Sequence, residues 1–432
     1  MQYKRFVLLS ASFVVLWGCA HGGAPQAVSS PVPVASARKV APEAAPPAVK
    51  RISRQRDAVA AHAATVPPPM QVHFINVGQG AAAIVEFPGK CGAILIDAGR
   101  GPGFTGVLRT HLDDFFAHQR PDLQGTLTTV YLTHPHEDHL GSLSTLGLTG
   151  TIVPVYDVKN LVDDGLLQTN ATTWQQAQKA FGDWVATNKG ATHHRIVAFS
   201  TKPQQGGYTG PAIDAIQCAD VDPKIRVLWG QSKKNVMGTA EDFKDPNNHS
   251  LVIRIDYGAS SILFTGDLEA PAIAQLLAAY ANQPELLDAD VYVVGHHGSI
   301  NGTTPALLKA ITPMIAVIQV GDLADPGRAR TARDYAHPNA TTVDNLVHSV
   351  ACGREPEAYA LVTSVTNDAT DDTITPIGMP CHVYATGWNG DITVSLPYDN
   401  ADLEVQLDCE LRFADATDAA AVEAHHRCVA SP

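Results

Sequence analysis

The sequence predicts an α/β fold in which two β-sheets are sandwiched between helices. Two observations carry that expectation. Hairpin strands open the ordered region, and strands then alternate with helical stretches.

Residues 72–77 alternate apolar and polar side chains and read as a strand. Residues 82–87 follow the Gly78-Gln79-Gly80 turn and read as its hairpin partner. Residues 93–96 form a third strand, which ends at Asp97-Ala98-Gly99. A helix is expected around 105–118 and a short apolar strand at 129–132. Further strands fall at 251–255, 262–264, 291–294 and 315–320, with helix-like segments between several of them. Two segments read as insertions, at about 158–245 and about 350–382. The first is polar, glycine-rich and weak in strand signal. Candidate strands at 359–365 and 383–385 and a final strand at 390–396 close the catalytic domain, placed at 70–400. Residues 401–432 read as a cysteine-containing C-terminal extension.

The chain has 432 residues, 45% of them apolar, enough for a large folded core. Its formal net charge is −13. That balance argues against a stable nucleic-acid complex, which needs clustered Lys and Arg. Residues 1–19 read as a targeting segment: Lys4 and Arg5 precede an apolar stretch too short to span a bilayer. It ends in Leu16-Trp17-Gly18-Cys19, which resembles a bacterial lipobox with Cys19 as the lipidated residue. Residues 20–69 are rich in Ala and Pro and read as a flexible linker. The expected location is therefore the bacterial cell envelope, with the chain held to a membrane by an N-terminal lipid. Six cysteines remain: Cys91, Cys218, Cys352, Cys381, Cys409 and Cys428. An exported chain permits disulfides, and pairing is expected among the last four.

The strongest chemical signal is Thr133-His134-Pro135-His136-Glu137-Asp138-His139, directly after a strand. Imidazoles and carboxylates at this density suit Zn²⁺, and less selectively Mn²⁺ or Fe²⁺. In a tight turn, side chains two apart can point into one cavity and the adjacent Asp138 and His139 into a second. Burial without a cation would leave these groups unpaired.

The pattern resembles the metallo-β-lactamase superfamily signature His-x-His-x-Asp-His, and three downstream segments agree in order. They are Asn247-Asn248-His249-Ser250, Phe264-Thr265-Gly266-Asp267 and Gly295-His296-His297-Gly298-Ser299. Within that superfamily the chain looks like the soluble domain of ComEC-type DNA-uptake proteins and their exported relatives, including phosphorylcholine esterases. Asn76-Val77-Gly78-Gln79-Gly80, Ala336-His337-Pro338 and Gly390-Asp391-Ile392 carry that likeness. Two acids usual in the family's first loop are replaced by Asn76 and Ala81, and the second ligand position is His136.

The resemblance implies a four-layer αββα metallo-β-lactamase sandwich holding two metal ions. His134, His136 and His249 would hold the first. Asp138, His139 and one of the His296-His297 pair would hold the second. Asp267 would bridge them. His296 is taken as that ligand because it follows the strand more directly, leaving His297 to face substrate. Asp97 would orient a ligand histidine. The implied chemistry is hydrolysis by metal-activated water, with Asp138 orienting it and His297 or His337 giving a proton to the leaving group. The expected substrate is a small phosphate ester. A lactone or β-lactam acyl hydrolase is the alternative, and a non-catalytic metal-stabilised binding module is a third reading. The pairs His193-His194 and His425-His426 are expected to be solvent-exposed.

Overall fold

The computed structural model describes residues 48–53, 66–100, 105–143, 155–167, 170–187, 191–195, 206–219, 221–230, 242–323, 332–350, 359–363, 374–379 and 382–408. The targeting segment, most of the linker, the cysteines Cys352, Cys381, Cys409 and Cys428 and the pair His425-His426 lie outside them.

The strands come in three runs. The first holds β1 (Ala48–Ile52), β2 (Met70–Phe74), β3 (Ala83–Phe87), β4 (Gly92–Ile96), β5 (Thr126–Leu127), β6 (Thr129–Leu132), β7 (Asp157–Val158), β8 (Asn160–Asp163) and β9 (Thr192–Arg195). The second holds β10 (Lys224–Trp229), β11 (Val252–Tyr257), β12 (Ser260–Phe264), β13 (Val291–Val293) and β14 (Ile315–Ile318). The third holds β15 (Tyr359–Thr363), β16 (Ile374–Gly378), β17 (Val383–Ala385), β18 (Ile392–Leu396) and β19 (Leu403–Leu407). The helices are α1 (Thr105–Asp114), α2 (Glu137–Leu140), α3 (Thr173–Thr187), α4 (Ala270–Ala279), α5 (Pro305–Ile311), α6 (Ala340–Ser349) and α7 (Thr386–Asn389).

One sheet runs β1-β19-β18-β2-β3-β4-β6-β8-β9 and the other β10-β11-β12-β13-β14-β17. Each is antiparallel at one end and parallel at the other: β4, β6, β8 and β9 in the first, β12, β13, β14 and β17 in the second. The alternation in β2 explains its placement. Met70, Val72 and Phe74 are buried, while Gln71 and His73 are only half-buried. The parallel strands β4, β6 and β8 are buried along their whole length, as strands covered on both faces must be.

Three apolar clusters account for four layers. Met70, Val72 and Phe74 of one sheet meet Ile253, Ile255 and Phe264 of the other, with the two Phe rings 6.3 Å apart. Burying either Phe stabilises the fold by about 1.5–3 kcal/mol. Leu108 and Leu112 of α1 and Phe181 and Val185 of α3 pack with Ile84, Leu95 and Val130. Ile273, Leu276, Leu307, Leu308, Val343 and Leu346, from α4, α5 and α6, pack with Leu263, Tyr292 and Ala316. The chain is an αββα sandwich of the metallo-β-lactamase type.

Three boundaries differ from the sequence reading. Residues 48–52, placed in the linker, form β1 and pair with β19, and Ile52 is buried. Residues 403–407, placed in the extension, form β19, which also pairs with β18. The 158–245 segment is built into the sandwich. β8 and β9 widen the first sheet, α3 covers it and β10 begins the second. A Cys91–Cys218 disulfide ties it to the β3–β4 turn. Its signal is weak in sequence because β9, Thr-His-His-Arg, is a polar edge strand.

The topology brings the C-terminal ends of β4, β6, β12, β13 and β14 to one rim, the usual ligand-binding place in parallel sheets.

Candidate metal centre

Local backbone chemistry delivers each side chain to that rim. After β6, the Thr133 carbonyl accepts from the Leu251 N–H at 2.9 Å, which links the two sheets. The chain then turns so that His136 caps α2, a single helical turn carrying Asp138 and His139. After β12, Gly266 has φ +51°, and a Cβ there would lie 2.8 Å from Ser250 Cβ and 2.9 Å from Thr133 Cβ. Only glycine permits this approach. The Asp267 N–H donates to Ser250 Oγ at 3.0 Å. After β13, His296 and His297 both adopt left-handed conformations, with φ of 50° and 52°. Such backbone costs about 1–2 kcal/mol per residue and persists where a site requires it.

Proton accounting shows what these groups fit. The Thr133 hydroxyl donates to Asp97 Oδ2 at 2.8 Å, so its oxygen is left to accept from His134 Nδ1–H at 3.1 Å. His139 Nδ1–H donates to Asp97 Oδ2 at 2.8 Å. His297 Nδ1–H donates to the Gln319 carbonyl at 2.6 Å. All three Nε2 atoms are therefore lone-pair donors when the rings are neutral. They face one another and the carboxylate of Asp267. His139 Nε2 lies 3.2 Å from His297 Nε2 and 3.2 Å from Asp267 Oδ1. His297 Nε2 lies 3.5 Å from both Asp267 Oδ2 and Asp138 Oδ2. His134 Nε2 lies 3.8 Å from Asp267 Oδ2 and 3.0 Å from His136 Nδ1. Converging buried lone pairs repel unless a cation sits among them.

Two ligand groups result, His134–His139–Asp267 and Asp138–His139–His297, each with its donor atoms within 4.8 Å of one another. A cavity of about 20 Å³ lies among Asp97, Thr133, His139, Asp267, His297 and Gln319. The donor set is nitrogen-rich with carboxylates, which suits a divalent metal.

The electrostatics agree. Burial opposes charge on His139, yet Asp267 and Asp97 hold its pKa well above the usual imidazole range. His297 is likewise raised against burial by Asp267 and Asp138. Burial opposes ionisation of Asp267, but the charges of His139, His297 and His296 hold it well below the carboxylate range. His134 is pushed well down by burial and by His139, and His136 is lowered by burial. The pocket thus draws positive charge toward Asp267.

The structure places His134, His139 and Asp267 in one ligand group and Asp138 and His139 in the other, while His136 lies beside the first with its Nδ1 3.0 Å from His134 Nε2 and belongs to neither. Two further assignments differ. His297, not His296, joins Asp138 and His139. The paired left-handed residues turn His297 inward, while His296 Nδ1 lies 3.1 Å from Asn301 Oδ1 and its Nε2 stays 3.9 Å from Asp267. His249 stands outside both ligand groups: its Nε2–H donates to the Phe243 carbonyl at 3.0 Å. His337 is buried 5.2 Å, ring to ring, from His296 and 5.9 Å from His297. Burial and those two neighbours hold its pKa well below the usual range. The pair His193-His194 lies in β9.

Sequence reasoning missed Thr133 and Gln319, which orient His134 and His297. A position at a strand end was the only available signal for either. It also missed Arg100, whose Nη2 donates to Tyr335 Oη at 3.3 Å, while the Tyr335 ring stacks on His337.

Comparison with known proteins agrees with this geometry. Residues 75–170 match the model of the metallo-beta-lactamase superfamily. ComE operon protein 3 of Bacillus subtilis is 25% identical over 269 residues, 58% of this chain and 28% of that protein. Recombination protein 2 of Haemophilus influenzae is 28% identical over 254 residues, 59% of this chain and 24% of that protein. The chain thus spans roughly a quarter of the length of the curated relatives it matches. A long-form RNase Z from yeast superposes over 80% of this chain and 51% of its own at TM-score 0.39 and 10% identity, too distant to inform the chemistry. Among the described residues no helix is long and apolar enough to cross a membrane. The segment that matches the metallo-beta-lactamase superfamily thus holds His134, Asp138 and His139 of the ligand groups, with His136 beside them, and the relatives the chain matches are ComEC-type proteins.

Proposed function

We propose that this chain is an exported hydrolase that holds a pair of divalent metal ions, zinc by donor chemistry, and cleaves phosphate esters. The observation that carries the reading is the convergence on Asp267 of three Nε2 lone pairs, each fixed by an Nδ1–H donated elsewhere. His134 and Asp267 would hold one ion, with His136 beside it, and Asp138 and His297 the other; His139, with the one Nε2 lone pair left by its bond to Asp97, would serve whichever of the two it faces. When bound, the ions supply Lewis acidity and bring the pKa of water toward neutrality.

The chain's own groups do the rest. Asp97 and the Gln319 carbonyl hold the ligand rings in one tautomer, as partners of metal-binding histidines do. Asp138 points its Oδ2 into the pocket, and against burial His297 and His139 hold its pKa well below the carboxylate range, so it stays ionised and can orient the water. His297 commits Nδ1 to Gln319 and Nε2 to the carboxylates, which removes it as proton donor to a leaving group. His337, at the same rim, is held neutral by burial and by His296 and His297, so it can orient a leaving group by a hydrogen bond but not protonate it. The Arg100 guanidinium, against Tyr335, favours an anionic substrate. The likeness to ComEC-type relatives supports phosphate over acyl substrates. The Cys91–Cys218 disulfide fits an oxidising compartment and so supports export; the lipid anchor rests on Cys19.

The test is metal content and bis-p-nitrophenyl phosphate hydrolysis by the full chain and its Asp138→Ala variant. About two zinc ions per chain, with hydrolysis lost in the variant, is the expected result. Bound metal without phosphodiester turnover would move the search to lactones and β-lactams. An absence of metal after added zinc would overturn the reading.

A further inference from the structure

Gln79, in the Gly78-Gln79-Gly80 loop between β2 and β3, belongs to neither ligand group, yet it is 3% exposed and both ends of its amide are engaged. Its Oε1 accepts from the Gly321 N–H at 3.4 Å. Its Nε2 lies 3.2 Å from His337 Nδ1. Gly321 follows β14 on the opposite sheet, and a Cβ there would stand 2.7 Å from the Gln79 backbone nitrogen. A residue without a side chain lets the two loops meet.

These contacts fix an orientation that amide symmetry would otherwise leave open. A backbone N–H can only donate, so the end of the amide facing Gly321 must be oxygen. The NH₂ end then faces His337, and it too can only donate. Nδ1 of His337 must therefore be bare, and the proton of the neutral ring sits on Nε2. Among the described residues nothing accepts from that N–H. The ring stands beside His296 and His297 and stacks on Tyr335 at 6.1 Å.

We propose that Gln79 is a positioning residue that holds His337 as its Nε2–H tautomer, so that the rim of the metal pocket offers substrate a hydrogen-bond donor. The role in turnover rests on the hydrolase reading; the tautomer does not. A donor there matches an oxygen that gains negative charge as a bond to it breaks. The opposite tautomer would present a lone pair to that oxygen and repel it.

The isosteric Gln79→Glu replacement reverses the logic. One carboxylate oxygen still accepts from Gly321, and the other now demands a proton from His337 Nδ1. The experiment is ¹⁵N correlation spectroscopy of histidine-labelled full chain, with the His337 signals identified by their loss in His337→Gln. In wild type, Nδ1 is expected at the shift of an unprotonated nitrogen and Nε2 at that of a protonated one. In Gln79→Glu, Nδ1 becomes protonated. A protonated Nδ1 in wild type would overturn the proposal without any variant, as would a folded Gln79→Glu chain with unchanged His337 shifts. Phosphodiester turnover adds a second readout: Gln79→Glu lowers kcat about 10- to 100-fold with KM within about twofold. If wild type lacks turnover while the shifts behave as expected, the hydrolase reading fails and the tautomer assignment stands.

Discussion

Two polar clusters, one at the β3–β4 turn and one at the rim between the two sheets, both hold charged side chains and do opposite things. Around Arg120, every donor has its acceptor. Nε donates to Asp122 Oδ1, Nη1 to the Phe87 carbonyl and Glu86, and Nη2 to the Gly89 carbonyl and Asp122 Oδ2, at 2.9–3.5 Å. Around Asp267, the fixed protons all point outward and the lone pairs all point in. The Arg120 cluster is closed and clamps the β3–β4 turn to the segment after α1. The Asp267 cluster is left open, with lone pairs that only protons or a metal ion among them can satisfy. Satisfied polar burial marks structure, and convergent lone pairs mark a binding site.

That difference predicts opposite responses to mutation. Asp267→Asn keeps the shape and removes the charge on which both ligand groups converge. Turnover should fall on the order of 10³-fold, since metal Lewis acidity is worth several kcal/mol. Metal content measured after gel filtration should fall with it. If the variant kept its metal and its rate, the lone-pair argument would be wrong. Arg120→Ala should instead leave metal affinity unchanged and cost about 1–3 kcal/mol of stability, the usual penalty for leaving buried acceptors such as the Phe87 and Gly89 carbonyls unsatisfied, read as a lower urea midpoint. Loss of metal binding without loss of stability would erase the distinction between the clusters.

A smaller effect separates the ligands from the groups that orient them. Asp97 accepts from the Thr133 N–H at 2.8 Å, from the Thr133 hydroxyl and from His139 Nδ1. Asp97→Asn should weaken zinc affinity about 10- to 100-fold without abolishing it, measurable by competition with a chromophoric chelator. A loss as deep as that of Asp267→Asn would make Asp97 a ligand itself.

These clusters also show what a sequence can disclose. The His134–His139 motif was legible because its donors lie within six residues of chain after a strand. Asp267 was legible through its strand-end context. The choice between His296 and His297 was not, because it depends on two consecutive left-handed backbones that no residue-type preference announces. Nor was the pairing of Gln79 with His337, which joins loops 258 residues apart. The alternation of Leu403, Val405 and Leu407 with Glu404 and Gln406 was available and marks β19. Its distance from the motifs hid it. β1 was masked by the Pro/Ala-rich chain before it and by Lys50 and Arg51 within it.

Asp214 is the intermediate case, with a single lone pair too many. Its Oδ2 accepts from the Ile225 N–H at 3.0 Å, while Oδ1 is buried without a partner. One orphaned carboxylate oxygen needs no metal, because a proton suffices. Burial accordingly pushes the Asp214 pKa up to about 6. The sign of the consequence follows from linkage. Below the unfolded value of about 3.9, both states are protonated and the contribution to stability is fully present. As pH rises toward about 6, the unfolded chain ionises first and stability falls; above that the loss is complete. Asp214→Asn cannot ionise, so it should flatten this part of the pH–stability curve. The difference between wild type and variant in urea midpoint should change between pH 4 and pH 6.5 and stay constant above. A parallel pair of curves would mean that Asp214 stays ionised throughout, and that a single orphaned oxygen also recruits something other than a proton.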